Sequence, residues 1–89
     1  MLFPPHRRTW IVESHAQAVI DASVAVNPQM EDEINGVEWM LIRNPGRGVQ
    51  IAPDVYLDVN NPVSPNASLI TTMYTYNEDE VNVLRIWIR

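Results

Sequence analysis

The chain has no cysteine and no lysine, and no apolar run near the roughly 20 residues that a bilayer-spanning helix needs. Without cysteine there is no disulfide, no thiolate metal ligand and no cysteine nucleophile. Without lysine, all six cations are arginines, set against eleven acids for a formal net charge of −5. Nucleic-acid binding draws most of its affinity from neutralised phosphates, so an acidic chain has no long-range attraction to RNA or DNA. A basic or neutral partner suits it better. The segment Met1-Leu-Phe-Pro-Pro-His-Arg-Arg8 places prolines and arginines where a secretory signal needs an apolar stretch, and a cytoplasmic protein is the expectation. Asn66-Ala67-Ser68 then matches a glycosylation acceptor by pattern alone. Internal repeats and low-complexity stretches are missing as well.

What is present is enough for one domain, residues 1–89, with one core. A chain of this size buries roughly 60–65% of its unfolded surface. Hydrophobic residues at 46% and charged ones at 19% are the balance of a globular chain. The clearest local pattern lies at the C-terminal end. Leu69-Ile-Thr-Thr-Met-Tyr-Thr-Tyr76, the acidic turn Asn77-Glu-Asp-Glu80 and Val81-Asn-Val-Leu-Arg-Ile-Trp-Ile-Arg89 predict a β-hairpin, because β-branched and aromatic residues dominate both arms.

Thr9–Glu13 predicts a short first strand. Ser14-His-Ala-Gln17 has the spacing of a capping box, opening a helix that runs to about Val26. That helix is rich in β-branched residues, so tertiary packing must hold it. Asn27-Pro28 suits the N-cap and first position of a second helix, with Glu31, Asp32 and Glu33 at the positive end of its dipole. Met30, Ile34, Val37 and Leu41 make one apolar stripe, and Asn44-Pro45-Gly46 stops the helix. After Val49-Gln50-Ile51, the run Val55-Tyr-Leu-Asp-Val59, separated from the helix by Pro53, predicts one further strand, and Asn60-Asn-Pro-Val-Ser-Pro-Asn66 a loop. The expected fold is α+β: strand, helix, helix, then three antiparallel strands, with the helical hairpin packed on one face of a curled sheet.

This order resembles the RelE/ParE superfamily of bacterial toxins, whose members oppose an antitoxin encoded beside them. Three segments carry the likeness: Val37-Glu-Trp-Met-Leu-Ile-Arg-Asn-Pro-Gly-Arg-Gly48 to a second helix ending in L-x-x-x-P-x-x-G, Tyr74-Thr-Tyr-Asn-Glu-Asp-Glu-Val81 to a third-strand tyrosine and acidic turn, and Val81–Arg89 to a closing V-x-V-L-x-I strand. The resemblance implies a RelE/ParE-like domain and a toxin–antitoxin pair. The departures fall on the chemistry. Where nuclease members carry Y-R-I-x-Y, this chain has Ile70-Thr71-Thr72-Met73-Tyr74, with Thr71 in place of the arginine. Asp54, Asp58, Asn60 and Asn61 stand where cations approach that strand, and Arg89 ends the chain where a basic tail follows. Cleavage through a 2′-hydroxyl needs a base, an acid and positive charge on the phosphate, and losing one such donor costs about 10²–10³ in rate.

Arg85 and Arg89 lie on one side of the last strand with Trp87 between them, either as a cationic–aromatic contact surface or as solvated arginines beside a packed indole. With Tyr76 opposite Val81, an unbroken register sets Tyr74, Thr72 and Ile70 against Val83, Arg85 and Trp87. The other face then holds Met73, Leu69, Leu84 and Ile88, with Thr71 opposite Ile86. The second set is more uniformly apolar and is the expected helix-covered face, although a single bulge would exchange the two. Tyr74, Tyr76 and Trp87 would then mark an open binding or dimer surface, or a second core under the N-terminal arm. Candidate binding residues are therefore Tyr74, Tyr76, Arg85, Trp87 and Arg89, with no catalytic residue.

Other chemistry-bearing residues read more simply. Arg43 and Arg47 suit a helix C-terminus, and Glu31-Asp32-Glu33 a helix start. His6 and His15 have no acid at ligand spacing, and neighbouring Ser14 and His15 diverge. Gly46-Arg-Gly48 is too short for a phosphate loop, and Phe3-Pro4-Pro5 offers either a cover for the sheet or a segment for a partner groove. No cofactor and no metal is expected. The expected function is a degenerate, non-nuclease toxin-superfamily protein of a toxin–antitoxin pair, acting through protein binding to an antitoxin-like partner and forming a homo- or hetero-oligomer. A non-enzymatic interaction module on the same scaffold is the alternative, and an active ribosome-dependent mRNA interferase, an endoribonuclease, the third. Neither nucleic acid nor a membrane is the expected partner.

Overall fold

The computed structural model describes residues 8–60 and 67–89. His6, Phe3-Pro4-Pro5 and most of the 60–66 loop, including Asn66, lie outside the described residues. The element order is β1 (Thr9–Val12), α1 (Ser14–Val26), α2 (Met30–Arg43), a 3₁₀ turn (Pro45–Arg47), β2 (Val49–Ala52), β3 (Val55–Asn60), β4 (Ile70–Tyr76) and β5 (Glu80–Ile88). The strands form one mixed sheet in the order β1-β5-β4-β3-β2. β2 to β5 pair antiparallel, as short links demand, and β1 pairs parallel with β5 at the edge.

The first helix starts without the expected capping box. Glu13 is its N-cap and makes no side-chain cap bond, while Ser14 is already helical. The Glu13 amide donates to the Val83 carbonyl at 3.0 Å, so sheet pairing runs up to the residue where the helix begins. Gln17 turns outward to donate to Asp21 Oδ1 at 2.9 Å. Asn27 and Pro28 are not the N-cap and first residue of α2, which are Gln29 and Met30; the Asn27 Oδ1 accepts from the Gln29 amide at 3.2 Å in a turn that leads into the helix. The stripe Met30, Ile34, Val37 and Leu41 is buried throughout, and Glu31, Asp32 and Glu33 occupy the first turn. Glu33 also accepts from the Ser68 amide at 2.7 Å, tying the chain ahead of β4 to α2.

The strand expected at Val55–Val59 is β3, and Val49–Ala52, not expected as a strand of its own, pairs with it as β2. Pro53 and Asp54 reverse the chain between β2 and β3, with Asp54 at φ 61°. Proline presets the first turn position, and aspartate is among the few residues that accept positive φ at the second. A bulge between Gln50 and Ala52 follows.

The largest correction concerns the sheet faces. Tyr76 pairs with Val81 and Tyr74 with Val83, but Met73 pairs with Arg85, Thr72 with Ile86 and Thr71 with Trp87. Leu84 is the extra residue of a β-bulge. In an unbroken strand Val81 and Val83 share one face, and Ile86 and Ile88 share the other. The bulge shifts the alternation by one residue, so all four turn to the helices: Val81, Val83 and Ile86 are buried and Ile88 packs against the same core. On β4 the helix-covered residues are Ile70, Thr72 and Tyr74, not Leu69, Thr71 and Met73. The core joins these to Ala16 and Ile20 of α1 and to the α2 stripe, with Trp10 and Val12 at its margin.

Leu41 is fully buried at the end of that stripe. Leu41→Ala should remove about 2–5 kcal/mol, a large part of the roughly 4–13 kcal/mol typical of a domain this long. Val26→Ala, at an 87% exposed site, should shift stability by no more than about 0.5 kcal/mol. Urea denaturation of the two variants checks both.

Candidate functional site

The bulge divides the five candidate binding residues between two sides of the sheet. Tyr74 and Tyr76 lie on the helix side, Tyr74 fully buried and Tyr76 half-buried. Arg85, Trp87 and Arg89 are exposed. Trp87 and Arg89 line a shallow hollow of about 350 Å³ with Leu57, Leu69 and Thr71. The expectation of one open aromatic surface containing Tyr74 and Tyr76 is thus corrected: Tyr74 is buried on the same face as Val83, and the bulge parts it from Arg85 and Trp87.

On the helix side the three tyrosines form a cluster that sequence reasoning did not assemble. Tyr56 lies opposite Tyr74, their rings stacked at 5.9 Å and 29°. Tyr76 contacts Tyr56 at 4.9 Å and Tyr74 at 6.3 Å. The turn at 44–48 seals the cluster. The Tyr74 hydroxyl donates to the Pro45 carbonyl, and a Cβ placed at Gly48 would overlap that hydroxyl. Glycine is required at Gly48 by this close approach.

Beside the tyrosines lies a buried acid. Asp58 is 4% exposed and takes a 2.8 Å ion pair from Arg47 Nε, whose Nη1 also meets Met40 Sδ at 3.0 Å. Asp58 faces Thr72 across the β3–β4 ladder. Asp58 Oδ2 and Thr72 Oγ1 are both buried without a hydrogen-bond partner among the described residues. One signal for this pair was available: Asp58 alternates with Tyr56 and Asn60 on the inward side of β3, and a buried carboxylate calls for a cation. Arg8 borders the cluster, its guanidinium 5.9 Å from the Tyr76 ring, with Nε donating to the Asn77 carbonyl at 2.7 Å.

The electrostatics suit structure better than acid–base chemistry. Burial, then the neighbouring Asp58 and Tyr76, push the Tyr74 hydroxyl up to about 12, against the opposing pull of the Gly48 amide and Arg47. Burial and its neighbours Tyr76 and Asp54 also raise Tyr56. A general base works best with a pKa near the operating pH, and both shifts lead away from it. Among the described residues there is no group of three or more histidines and acids placed to hold a metal. No helix among them is long and apolar enough to cross a membrane.

Among the described residues, no helix covers the other face of the sheet. Reading the register across it, Val49, Leu57, Met73 and Arg85 make one rung, and Val59, Thr71 and Trp87 the next. Val49 is 68% exposed and Val59 and Trp87 are each 45% exposed. Ile11, paired with Asn82, extends this side to β1. No protein-family model matches the chain, and no curated protein or solved structure matches it either.

Two measurements test the buried cluster. Thr72→Val removes an orphaned hydroxyl at little change of shape and should stabilise the fold by about 1 kcal/mol, read from the urea midpoint. Tyr74 has a folded pKa raised above 10, so its stabilising contribution is complete below about pH 10 and is lost as pH rises through about 12. Phenolate absorbance should show a late-ionising tyrosine that disappears in Tyr74→Phe.

Proposed function

We propose that this chain is a non-catalytic protein-binding domain whose working surface is the helix-free face of the sheet. The observation that carries the reading is the Trp87 rung: an indole nearly half exposed near the end of β5, beside Leu57 and Leu69 and bordered by Arg85 and Arg89. A sheet with one face in water ordinarily turns polar residues to it. Here apolar side chains from β2, β3, β4 and β5 meet there instead, with an aromatic and arginines of the kinds that anchor interfaces. The α+β arrangement and the motifs shared with RelE/ParE toxins support a partner of antitoxin type: a small protein that lays a segment across this face. On this reading the chain is a toxin-superfamily scaffold without the nuclease set.

The tyrosine cluster supports the non-nuclease side of the proposal. Arg47 and Arg8 come near tyrosines, as an RNA-cleaving site would require. But Arg47 is neutralised by Asp58, and Arg8 is committed to backbone carbonyls and the Tyr76 ring. Tyr74 is sealed beneath the turn. A phosphate arriving there would meet a carboxylate and a hydroxyl already donated.

The test is binding to the product of the neighbouring reading frame, followed by calorimetry. Trp87→Ala should weaken the complex by about 2 kcal/mol or more, some thirtyfold, while the urea midpoint moves little. Unchanged affinity in Trp87→Ala and Arg85→Ala would remove the sheet face from the interface. RNA cleavage by purified protein that stops in Arg47→Ala would replace the whole reading with a nuclease.

A further inference from the structure

A second surface lies on the helix side of the sheet. α1 and α2 make few contacts with each other and part over β1, leaving a groove of about 640 Å³. Its apolar lining comes from Trp10 and Val12 of β1, Ile20 and Val24 of α1, and Ile34 of α2. Asp21, Glu31 and Glu38 stand along it, with Gln17 holding Asp21. No cation among the described residues lines it.

We propose that this groove receives an amphipathic helix of a partner protein, apolar on one side and basic on its flanks. The reading goes beyond the sheet-face interface and does not depend on it. Two features of the groove choose a helix. Its α1 residues sit at 17, 20, 21, 24 and 25 and its α2 residues at 31, 34, 35 and 38, so each wall repeats at helical spacing. Each wall spans about two turns, some 10–12 Å, and a valley between two helices accepts a third helix in the same way. An extended segment fits poorly, because the floor presents side chains of β1 and not its backbone edge; its own amides would lie unpaired. The charge chooses the partner's sign. Three carboxylates beside an apolar floor favour lysines or arginines flanking leucine-like anchors, and they repel an acidic helix.

The experiment uses the full chain and two synthetic probes, a labelled Leu/Lys amphipathic helix and a Leu/Glu helix of identical pattern, followed by fluorescence anisotropy. The Leu/Lys helix should bind saturably in the micromolar range and weaken as salt rises. Asp21→Lys with Glu38→Lys should weaken it about tenfold. Ala25→Trp, at an exposed wall position, fills the groove without changing charge and should weaken it too. Gln50→Lys, on the exposed edge strand β2 at the opposite side of the sheet from β1, and Trp87→Ala should leave affinity unchanged, which separates this surface from the sheet face. Equal binding of the Leu/Glu helix would overturn the proposal. So would an equal loss in Gln50→Lys, or full affinity in Ala25→Trp.

Discussion

The bulge at Leu84 decides what each side of this sheet can do. β5 is the strand that touches β1, β4 and both helices. It carries apolar residues at 81 and 83 and again at 86 and 88, positions of opposite parity. Only an inserted residue lets all of them face α1 and α2. The same insertion sends Arg85 and Trp87 to the face opposite the helices, while Tyr74, paired with Val83, lies under them. The separation of core from candidate interface is therefore the product of one local irregularity. Straightening the strand would exchange Ile86 and Ile88 for Arg85 and Trp87, placing the latter pair against the α1–α2 layer at a prohibitive desolvation cost.

The buried Asp58 constrains the other half of the molecule. A carboxylate at 4% exposure is tolerable only with a partner, and Arg47 supplies it from the turn after α2. This pairing, the Tyr74 hydroxyl on Pro45 and the close approach at Gly48 hold the 44–48 turn against β3 and β4. The turn in turn fixes where α2 ends. One of the chain's six arginines is thus spent on its own fold, and a second, Arg8, on carbonyls and a ring. In an acidic chain without lysine, this leaves little positive charge for a polyanion, in keeping with protein as the binding partner.

Elements whose signal is local were legible in the sequence. The α2 stripe, its acidic first turn and its stop at Asn44-Pro45 need only periodicity and capping chemistry, and all are present. The terminal hairpin and the Tyr76–Val81 pairing likewise follow from turn residues and β-branched arms. What was not legible depends on partners distant in sequence. The capping box at Ser14 failed because Glu13 is held by Val83, seventy residues on. The strand at Val49–Ala52 was missed because the reversal at Pro53 and Asp54 uses a positive φ that aspartate permits but does not announce. The face choice failed because apolar count favoured Leu69, Met73 and Leu84, whereas the parity conflict within β5 was the stronger signal. Asp58 and Arg47 were visible separately, one as an acid replacing a cation and the other as a helix-end charge; only β3's inward alternation joins them.

The charges beside the two candidate surfaces differ in sign. Asp21, Glu31 and Glu38 surround the groove on the helix layer, while Arg85 and Arg89 border the other face of the sheet. The molecule is 22 Å across in its thinnest direction, more than twice the screening length of about 8 Å at physiological salt. Charges on one side are therefore weakly felt on the other, and each surface can select a partner by its own local sign. A segment crossing the sheet is favoured when it is apolar and acidic, and a helix in the groove when it is apolar and basic. Two surfaces of opposite preference on one small domain would allow a partner with both kinds of segment to hold it from two sides. The second segment would then bind at the high effective concentration set by the first.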